Sequence, residues 1–161
     1  MTFTATTITK ATFKNNIWKN FNDLVKDQVT ALYINASIGT ATIQKYTQSY
    51  SDIDFDSKTD YPVLVIYTPE GKTEQVTNGK TKYVAEIKFE IYATQKETAE
   101  KLLDKLDYII ETNKHVLRVP GIRFLESAGT DSDSFERDGI KLHMRRSTWS
   151  FEYVFTRTGA Y

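Results

Sequence analysis

Residues Lys82 to Ile91 alternate between apolar and charged side chains, and this alternation constrains the fold more than any other feature of the chain. The apolar members are Tyr83, Ala85, Ile87, Phe89 and Ile91, and the charged members are Lys82, Glu86, Lys88 and Glu90. Successive side chains of a strand point to opposite faces of its sheet. The pattern therefore predicts a strand with one apolar row on a core and one charged row in water.

Three further segments have strand-like patterns. The continuous apolar run Val63–Tyr67 lies between Pro62 and the turn signal at 69–71, which predicts a buried strand that forms a hairpin or meander with 83–91 across a turn at Asn78-Gly79. Ile122 to Leu125 offers a short strand, and Ile140 to Thr156 a long one. On the long strand one face would hold Trp149, Phe151, Tyr153 and Phe155, and the other Arg146, Thr148, Ser150 and Glu152. The polar, acidic segment 129–139 is expected to be a loop.

Two segments show helical spacing. Ile17, Phe21, Leu24 and Val25 recur every three or four residues, which predicts a first helix from about Thr12 to Ala31. The second apolar stripe is Ala99, Leu102, Leu103, Leu106, Ile109 and Ile110. Thr94 and Glu97 match the spacing of a capping box at its start, and Pro120-Gly121 sets its latest end.

The order of these elements predicts an α+β fold. Adjacent strands with short connections favour a mainly antiparallel sheet, and two amphipathic helices on one face of it complete a two-layer domain. A parallel arrangement would need helices between most strands. We expect a single domain over residues 1–161, with a threonine-rich N-terminal arm at 1–12. The segment 40–58 is expected to be a weak strand or an extended loop.

Composition excludes several classes of protein. There is no cysteine, which rules out disulfide scaffolds, thiol nucleophiles and cysteine-ligated zinc. Lys plus Arg and Asp plus Glu both total 21, so bulk charge provides no means of holding nucleic acid. Neither a signal peptide nor a membrane span is apparent in the hydropathy pattern. The expectation is a soluble protein made in the cytoplasm.

Candidate metal sites are poorly supported. Asp52, Asp54 and Asp56 would share one face of a strand and could hold Mg²⁺, but a solvated strand face opposite Ile53 and Phe55 is the favoured interpretation, because sites made only of carboxylates are rare. The run 131–134 lacks the glycine and the closing glutamate of a calcium loop. His115 and His143 match no zinc motif. Since no nucleophile elbow or phosphate-binding glycine loop occurs either, we expect a protein that is not an enzyme and that needs no metal or cofactor.

Cationic residues concentrate near the last strand. Lys141, Arg145, Arg146 and Arg157 lie there with Glu152. In a monomer these charges would guard an edge strand against unwanted pairing. In a ring they would form a basic band facing phosphate.

The chain resembles the tail terminator proteins (tail completion or head–tail joining proteins) of long-tailed bacteriophages. The resemblance covers about Phe13 to Arg157 and rests on element order: an N-terminal helix with Ile17 and Phe21, a first core strand Tyr61–Ile66, the strand 83–94, a leucine-rich helix 98–113 and the final strand 145–156. The arm 1–12 and the segment 40–58 are departures from the family pattern.

The resemblance implies a structural virion protein of the neck. Its copies would form a homo-hexameric ring that caps the tail tube, stops tail elongation and joins the head connector or stopper protein, while DNA passes through the lumen without sequence-specific contact. Such a ring needs head-to-tail contacts that close. Assembly would occur in the host cytoplasm. The candidate ring or partner contacts are Tyr50, Phe55, Asp131, Asp133, Phe135, Glu136, Arg145 and Arg146.

Three alternatives remain open. Another neck ring or a tail-tube subunit would share the fold class, and a tube subunit would polymerise on its own. A metal-dependent nuclease would use Asp52, Asp54 and Asp56. A small ligand-binding module is not identified by fold class, because function belongs to sites rather than folds.

Overall fold

A computed structural model describes residues 3, 5–9, 12–27, 34–36, 39–53, 61–77, 79–137 and 139–156. It confirms the α+β prediction. The elements in chain order are α1 (Phe13–Asp27), β1 (Ile34–Ala36), β2 (Gly39–Ala41), β3 (Lys45–Thr47), a 3₁₀ turn (Tyr50–Asp52), β4 (Val63–Ile66), β5 (Glu70–Thr77), β6 (Lys80–Ala93), α2 (Lys96–Thr112), α3 (Lys114–Arg118), β7 (Arg123–Arg137) and β8 (Ile140–Thr156).

Six strands form one mostly antiparallel sheet, in which β3-β4-β6-β8-β7 lie side by side and β5 pairs with the remaining length of β6. Only β3 and β4 run parallel. The ladder between β6 and β8 is continuous from Lys80↔Thr156 to Ala93↔His143. The prediction that 140–156 is an edge strand is wrong, because β7 pairs with its other side.

The main core lies between one face of the sheet and the two long helices. Odd-numbered residues of β6 and β8 point to this face, as the alternation predicts. Phe21 of α1 packs against Phe89 and Phe151, with ring centroids 6.0 and 5.9 Å away. The apolar stripe of α2 is buried against the same face. Both helices are therefore on one side of the sheet.

A second, smaller core covers part of the opposite face, where the alternation in β6 predicts charged residues in water. Its buried members are Ile53, Tyr61, Val63, Val65, Tyr92, Leu142 and Met144. Ile53 and Tyr61 come from the segment that precedes β4, and they cover one end of the sheet. Consequently Glu90, which belongs to the predicted exposed row, is only 3% exposed.

Two strands differ from the sequence predictions. The predicted turn at 69–71 contains the start of β5, whose side chains are exposed along its whole length. Residues 129–137 of the predicted acidic loop form the second half of β7, and Gly139, with φ 79°, lies in the turn before β8. A positive φ at this turn suits glycine because it has no Cβ. Neither strand has an apolar face, so periodicity gave no signal for either.

The helix boundaries also differ in detail. The described part of the first helix begins at Phe13 and runs to Asp27, and the predicted continuation at 28–31 lies outside the described residues. The residue that caps the start of α2 is Gln95, whose side chain makes no capping hydrogen bond. The capping box predicted from Thr94 is therefore wrong by one position. A short α3 follows α2 before the proline predicted to limit it.

Candidate functional site

Cross-strand register places three charged side chains in a row on the face of the sheet away from the helices. Glu90 of β6 lies directly opposite Arg146 of β8, and Arg146 lies opposite Asp131 of β7. Directly opposite residues in an antiparallel pair point to the same face. We call these three residues the charge row; it is the main concentration of polar contacts on this face.

Glu90 is the most buried member of the charge row and accepts four hydrogen bonds. One carboxylate oxygen, Oε1, accepts hydrogen bonds from Arg146 Nε at 2.9 Å and from Arg146 Nη2 at 2.7 Å. The other, Oε2, accepts from the hydroxyl of Tyr67 at 2.9 Å and from the hydroxyl of Tyr92. A buried carboxylate is tolerated only when it is paired and hydrogen-bonded in this way. The contacts connect β4, β6 and β8 across the sheet.

The environment holds the donors of this site in their protonated forms. Burial, followed by the hydrogen bond to Glu90, raises the pKa of both Tyr67 and Tyr92 well above the ordinary value of 10.0. The hydrogen bond to Glu90 is also the main reason that the pKa of Arg146 is raised. Neither phenol is thus prepared to act as a base or a nucleophile at neutral pH. The arrangement is that of a polar clamp between strands.

A cleft of about 290 Å³ lies beside the clamp and is lined by Tyr67, Thr68, Glu70, Glu86, Lys88, Glu90 and Arg146. Its size is at the lower end of small-molecule sites. Three carboxylates and two cations line it, so its charges largely offset one another. Such a mixed surface is suited to polar contacts with another macromolecule.

The structure places five of the predicted contact residues on the face of the second core. Asp131, Asp133 and Phe135 are alternate residues of β7, and they lie opposite Arg146, Met144 and Leu142 respectively. Tyr50 joins them through Tyr92: the Tyr50 and Tyr92 rings are 5.8 Å apart, and the Tyr92 and Phe135 rings are 6.1 Å apart. Asp131 and Asp133 are exposed, whereas Phe135 is half-buried.

The other predicted contact residues are not part of this group. Arg145 and Glu136 are on the opposite face, because Arg145 pairs with Ser132 and Glu136 with Lys141. A basic band containing both Arg145 and Arg146 is therefore wrong, since adjacent residues of a strand point to opposite faces. Phe55 and Arg157 lie outside the described residues.

The structure gives no support for a metal site at Asp52, Asp54 and Asp56. Asp52 ends the 3₁₀ turn rather than lying on a strand, and Asp54 and Asp56 are outside the described residues. Within the described part of the chain, no three His, Asp or Glu side chains come together as metal ligands would. The run 131–134 belongs to β7 and is paired with β8.

The outer edge of β7 is capped by its own aspartates. The backbone N–H of Ser132 donates to Asp131 Oδ1, and that of Ser134 donates to Asp133 Oδ1, both at 2.8 Å. These amides are two residues apart and so point to the same side of the strand. Since they bond to carboxylates rather than to β8, this side is the edge facing away from β8. Capped amides make backbone pairing with another strand less favourable there.

A second polar cluster joins α2 to the sheet. Asp107 Oδ1 accepts hydrogen bonds from Ser147 Oγ at 2.5 Å and from Trp149 Nε1 at 3.1 Å. Burial raises the pKa of Asp107 above its ordinary value of 3.8, although both hydrogen bonds lower it. Lys114 Nζ lies 5.6 Å from the centre of the Trp149 ring. The cluster fixes the position of α2 on β8.

We expect Asp107→Asn to be more stable than the wild type at neutral pH. The raised pKa means that the folded protein binds the Asp107 proton more tightly than the unfolded chain does. Protonated Asp107 therefore contributes its full stabilisation below pH 3.8, and this contribution to the free energy of unfolding is lost as the pH rises through the raised pKa. The asparagine Oδ1 still accepts from Ser147 and Trp149. Urea unfolding at a series of pH values would show the difference in free energy of unfolding between variant and wild type becoming smaller as the pH is lowered. An Asp107→Asn variant that is less stable than the wild type at neutral pH would show that burial of the Asp107 charge is not destabilising.

Comparison with protein-family models and with curated protein sequences finds no match for this chain. Among the described residues, no helix has the length and apolar character needed to cross a membrane.

Proposed function

We propose that the protein is a structural subunit that assembles with copies of itself into a closed ring, of the kind that tail terminators form at the end of a phage tail tube. In this role its ring caps the tube, stops elongation and presents a surface to the head connector or stopper protein. The site of action is the neck of the virion. The residues that act are those of contact surfaces rather than of a catalytic centre.

The observation that carries this proposal is the exposure of β7. Its fifteen residues form a strand of which only Leu125 is buried, and its described pairing is with β8 alone. A long edge strand exposed to solvent tends to associate with other chains, and proteins usually cover such an edge with a further element. A neighbouring subunit that packs on β7 would supply this cover. Since Asp131 and Asp133 cap part of the edge, side chains rather than backbone amides would make those contacts.

The charge row supports a lumen through which DNA slides. Arg146 would hold phosphate if it were free, but Glu90 takes two of its hydrogen bonds and Asp131 Oδ2 lies 3.6 Å from its Nη1. Asp131 and Asp133 are exposed on the same face. A surface on which the arginine is already paired and two aspartates are exposed disfavours phosphate rather than binding it.

The mass of the purified protein over a concentration series, with negative-stain images of the same fractions, tests the proposal. A closed ring near six subunits is the expected result. Open-ended tubes would assign the protein to the tail tube instead, because a tube subunit polymerises without a stop. A monomer at every concentration would contradict self-assembly of the isolated protein.

Thr130→Lys tests whether β7 is the contact. Thr130 is exposed in the middle of the strand, and a lysine there would place a long charged side chain in the interface. We expect the concentration for half-assembly to rise about tenfold, which corresponds to about 1.4 kcal/mol. Thr94→Lys, at an exposed position outside the strands, is the matched control and should assemble normally. Unchanged assembly of Thr130→Lys would remove β7 from the ring contact.

A further inference from the structure

The backbone of Phe124 adopts the left-handed conformation, with φ 52°, at the start of β7. Left-handed backbone is unfavourable for a residue with a bulky side chain, because Cβ comes too close to the neighbouring carbonyl group. The register between β7 and β8 shifts at this point, between Arg123 and Glu126. A strained residue within a bulge persists only where the surrounding structure enforces it, and such residues concentrate at functional sites.

The bulge brings the neighbouring Leu125 into the main core, but the side chain of Phe124 takes no part in that core. The Phe124 side chain is 70% exposed, so the bulge directs a large apolar group into solvent. Exposed large apolar groups beside a cleft are typical of contact sites for other proteins. This surface is at the opposite end of β7 from Asp131 and Asp133.

A cleft of about 220 Å³ lies beside Phe124 and is lined by Lys114, Arg118, Ile122, Phe124, Leu125 and Glu126. Ile122 and Leu125 are buried and form its apolar part. The volume is below the range typical of cofactor and drug-sized sites, so it suits one or two side chains of a peptide. We call this cleft, with the Phe124 ring that lines it, the Phe124 surface.

The charged side chains at the rim of the cleft indicate which polar groups a ligand would carry beside its apolar group. Lys114 pairs with Glu111, with Nζ 2.9 Å from Oε2. Arg118 is exposed and forms no ion pair with any described residue. Its guanidinium group can therefore make a bidentate pair with a carboxylate. Glu126, also at the rim, can accept from a peptide N–H. The three features together match a peptide better than they match a simple anion or a lipid chain.

We propose that the Phe124 surface binds a peptide segment of a partner protein in which an aliphatic side chain lies next to a carboxylate. The aliphatic group fills the cleft over Ile122 and Leu125, under the ring of Phe124. The carboxylate pairs with Arg118, and a backbone N–H of the segment donates to Glu126. Phe124 is held outward on strained backbone because it closes over the bound segment.

The test uses the full chain with methyl-labelled Ile and Leu and three small probes. N-acetyl-leucine carries the aliphatic group, the carboxylate and the amide; N-acetyl-leucinamide lacks the carboxylate; and N-acetylglycine lacks the aliphatic group. We expect N-acetyl-leucine to shift the methyl resonances of Ile122 and Leu125 and to bind about fivefold more tightly than either of the other probes, as an exposed ion pair plus one buried side chain allows.

Two variants separate binding from folding. Arg118→Gln should bind N-acetyl-leucine and N-acetyl-leucinamide equally. Phe124→Gly should weaken both probes and also raise the thermal midpoint by about 2–4 °C, because glycine adopts positive φ without strain. Tyr108→Ala removes another exposed aromatic group, 62% exposed on α2, and should leave binding unchanged.

Each of the following results would overturn the proposal. Equal affinity of the wild type for the acid and the amide would remove the carboxylate from the ligand. Absence of shifts at Ile122 and Leu125 would remove the cleft. A lower thermal midpoint for Phe124→Gly would make Phe124 a structural residue. Loss of the assembled mass in Phe124→Gly would assign the surface to a second copy of the chain, and binding to anionic phosphatidylglycerol vesicles without binding of N-acetyl-leucine would assign it to a membrane.

Discussion

Trp149→Ala is expected to lower the free energy of unfolding by about 3–5 kcal/mol, in the range found for deletion of a large buried aromatic side chain. Trp149 is 2% exposed and is among the largest fully buried side chains of the described chain. Its Nε1 donates to Asp107 Oδ1 at 3.1 Å and to Ser147 Oγ at 3.0 Å. The substitution therefore leaves a cavity under α2 and also removes a donor from a carboxylate that is already penalised by burial.

Urea unfolding followed by far-ultraviolet circular dichroism measures this loss, with wild type and variant at the same protein concentration because assembly contributes to apparent stability. Val154→Ala on the same strand is the matched control. Val154 is 39% exposed on the other face, and its truncation should cost about 0.5 kcal/mol or less. A small loss of stability for Trp149→Ala together with loss of assembly would place Trp149 in a subunit contact rather than in the core.

Arg146→Ala is expected to cost about 3–5 kcal/mol, because removal of one partner leaves a buried charge without compensation. The side chain of Glu90 is only 4% exposed, and Arg146 supplies two of the hydrogen bonds that it accepts. The hydroxyls of Tyr67 and Tyr92 remain as donors, but they carry no positive charge. The same unfolding measurement reports the loss.

Two controls isolate the buried charge as the cause. In the double variant Glu90→Gln/Arg146→Ala the amide still accepts from a tyrosine and carries no charge, so the cost should fall to about 1–2 kcal/mol. Arg145→Ala removes the neighbouring arginine, whose Nε is buried without a hydrogen-bond partner in the described structure, and should cost about 1 kcal/mol or less. An equal loss for Arg145→Ala and Arg146→Ala would show that the pair with Glu90 is not the source of the effect.

Local periodicity was sufficient to identify the elements that have one apolar face. The alternation around Ile87 predicted β6, the stripe around Leu103 predicted α2, and the aromatic row from Trp149 predicted the inner face of β8. In each case the core-facing side chains recur with the period of a strand or of a helix, so the sequence of that one segment is enough to identify the element. From these elements the α+β class and the side occupied by the helices followed.

Strands without an apolar face were not predicted. β5 and the second half of β7 consist of exposed polar residues, which in sequence resemble loops. Their strand conformation comes from backbone pairing with β6 and β8, which supplies hydrogen bonds whatever the side chains are. The prediction that β8 is an edge strand fails for the same reason. β8 lies inside the sheet because β7 pairs with it, and most of β7 was not identified as a strand from the sequence.

The sequence by itself determined the composition of the main core face and the order of the main elements, whereas the tertiary structure alone decided which distant residues meet. Glu90 and Arg146 are 56 positions apart and become neighbours only through the register of β6 with β8. Burial of Glu90 depends on the second core, whose buried members come from three separate strands and from the segment before β4. The strain at Phe124 arises from a bulge in the β7–β8 ladder. Periodicity is a property of a few consecutive residues, while register, burial and strain are properties of the chain packed against itself.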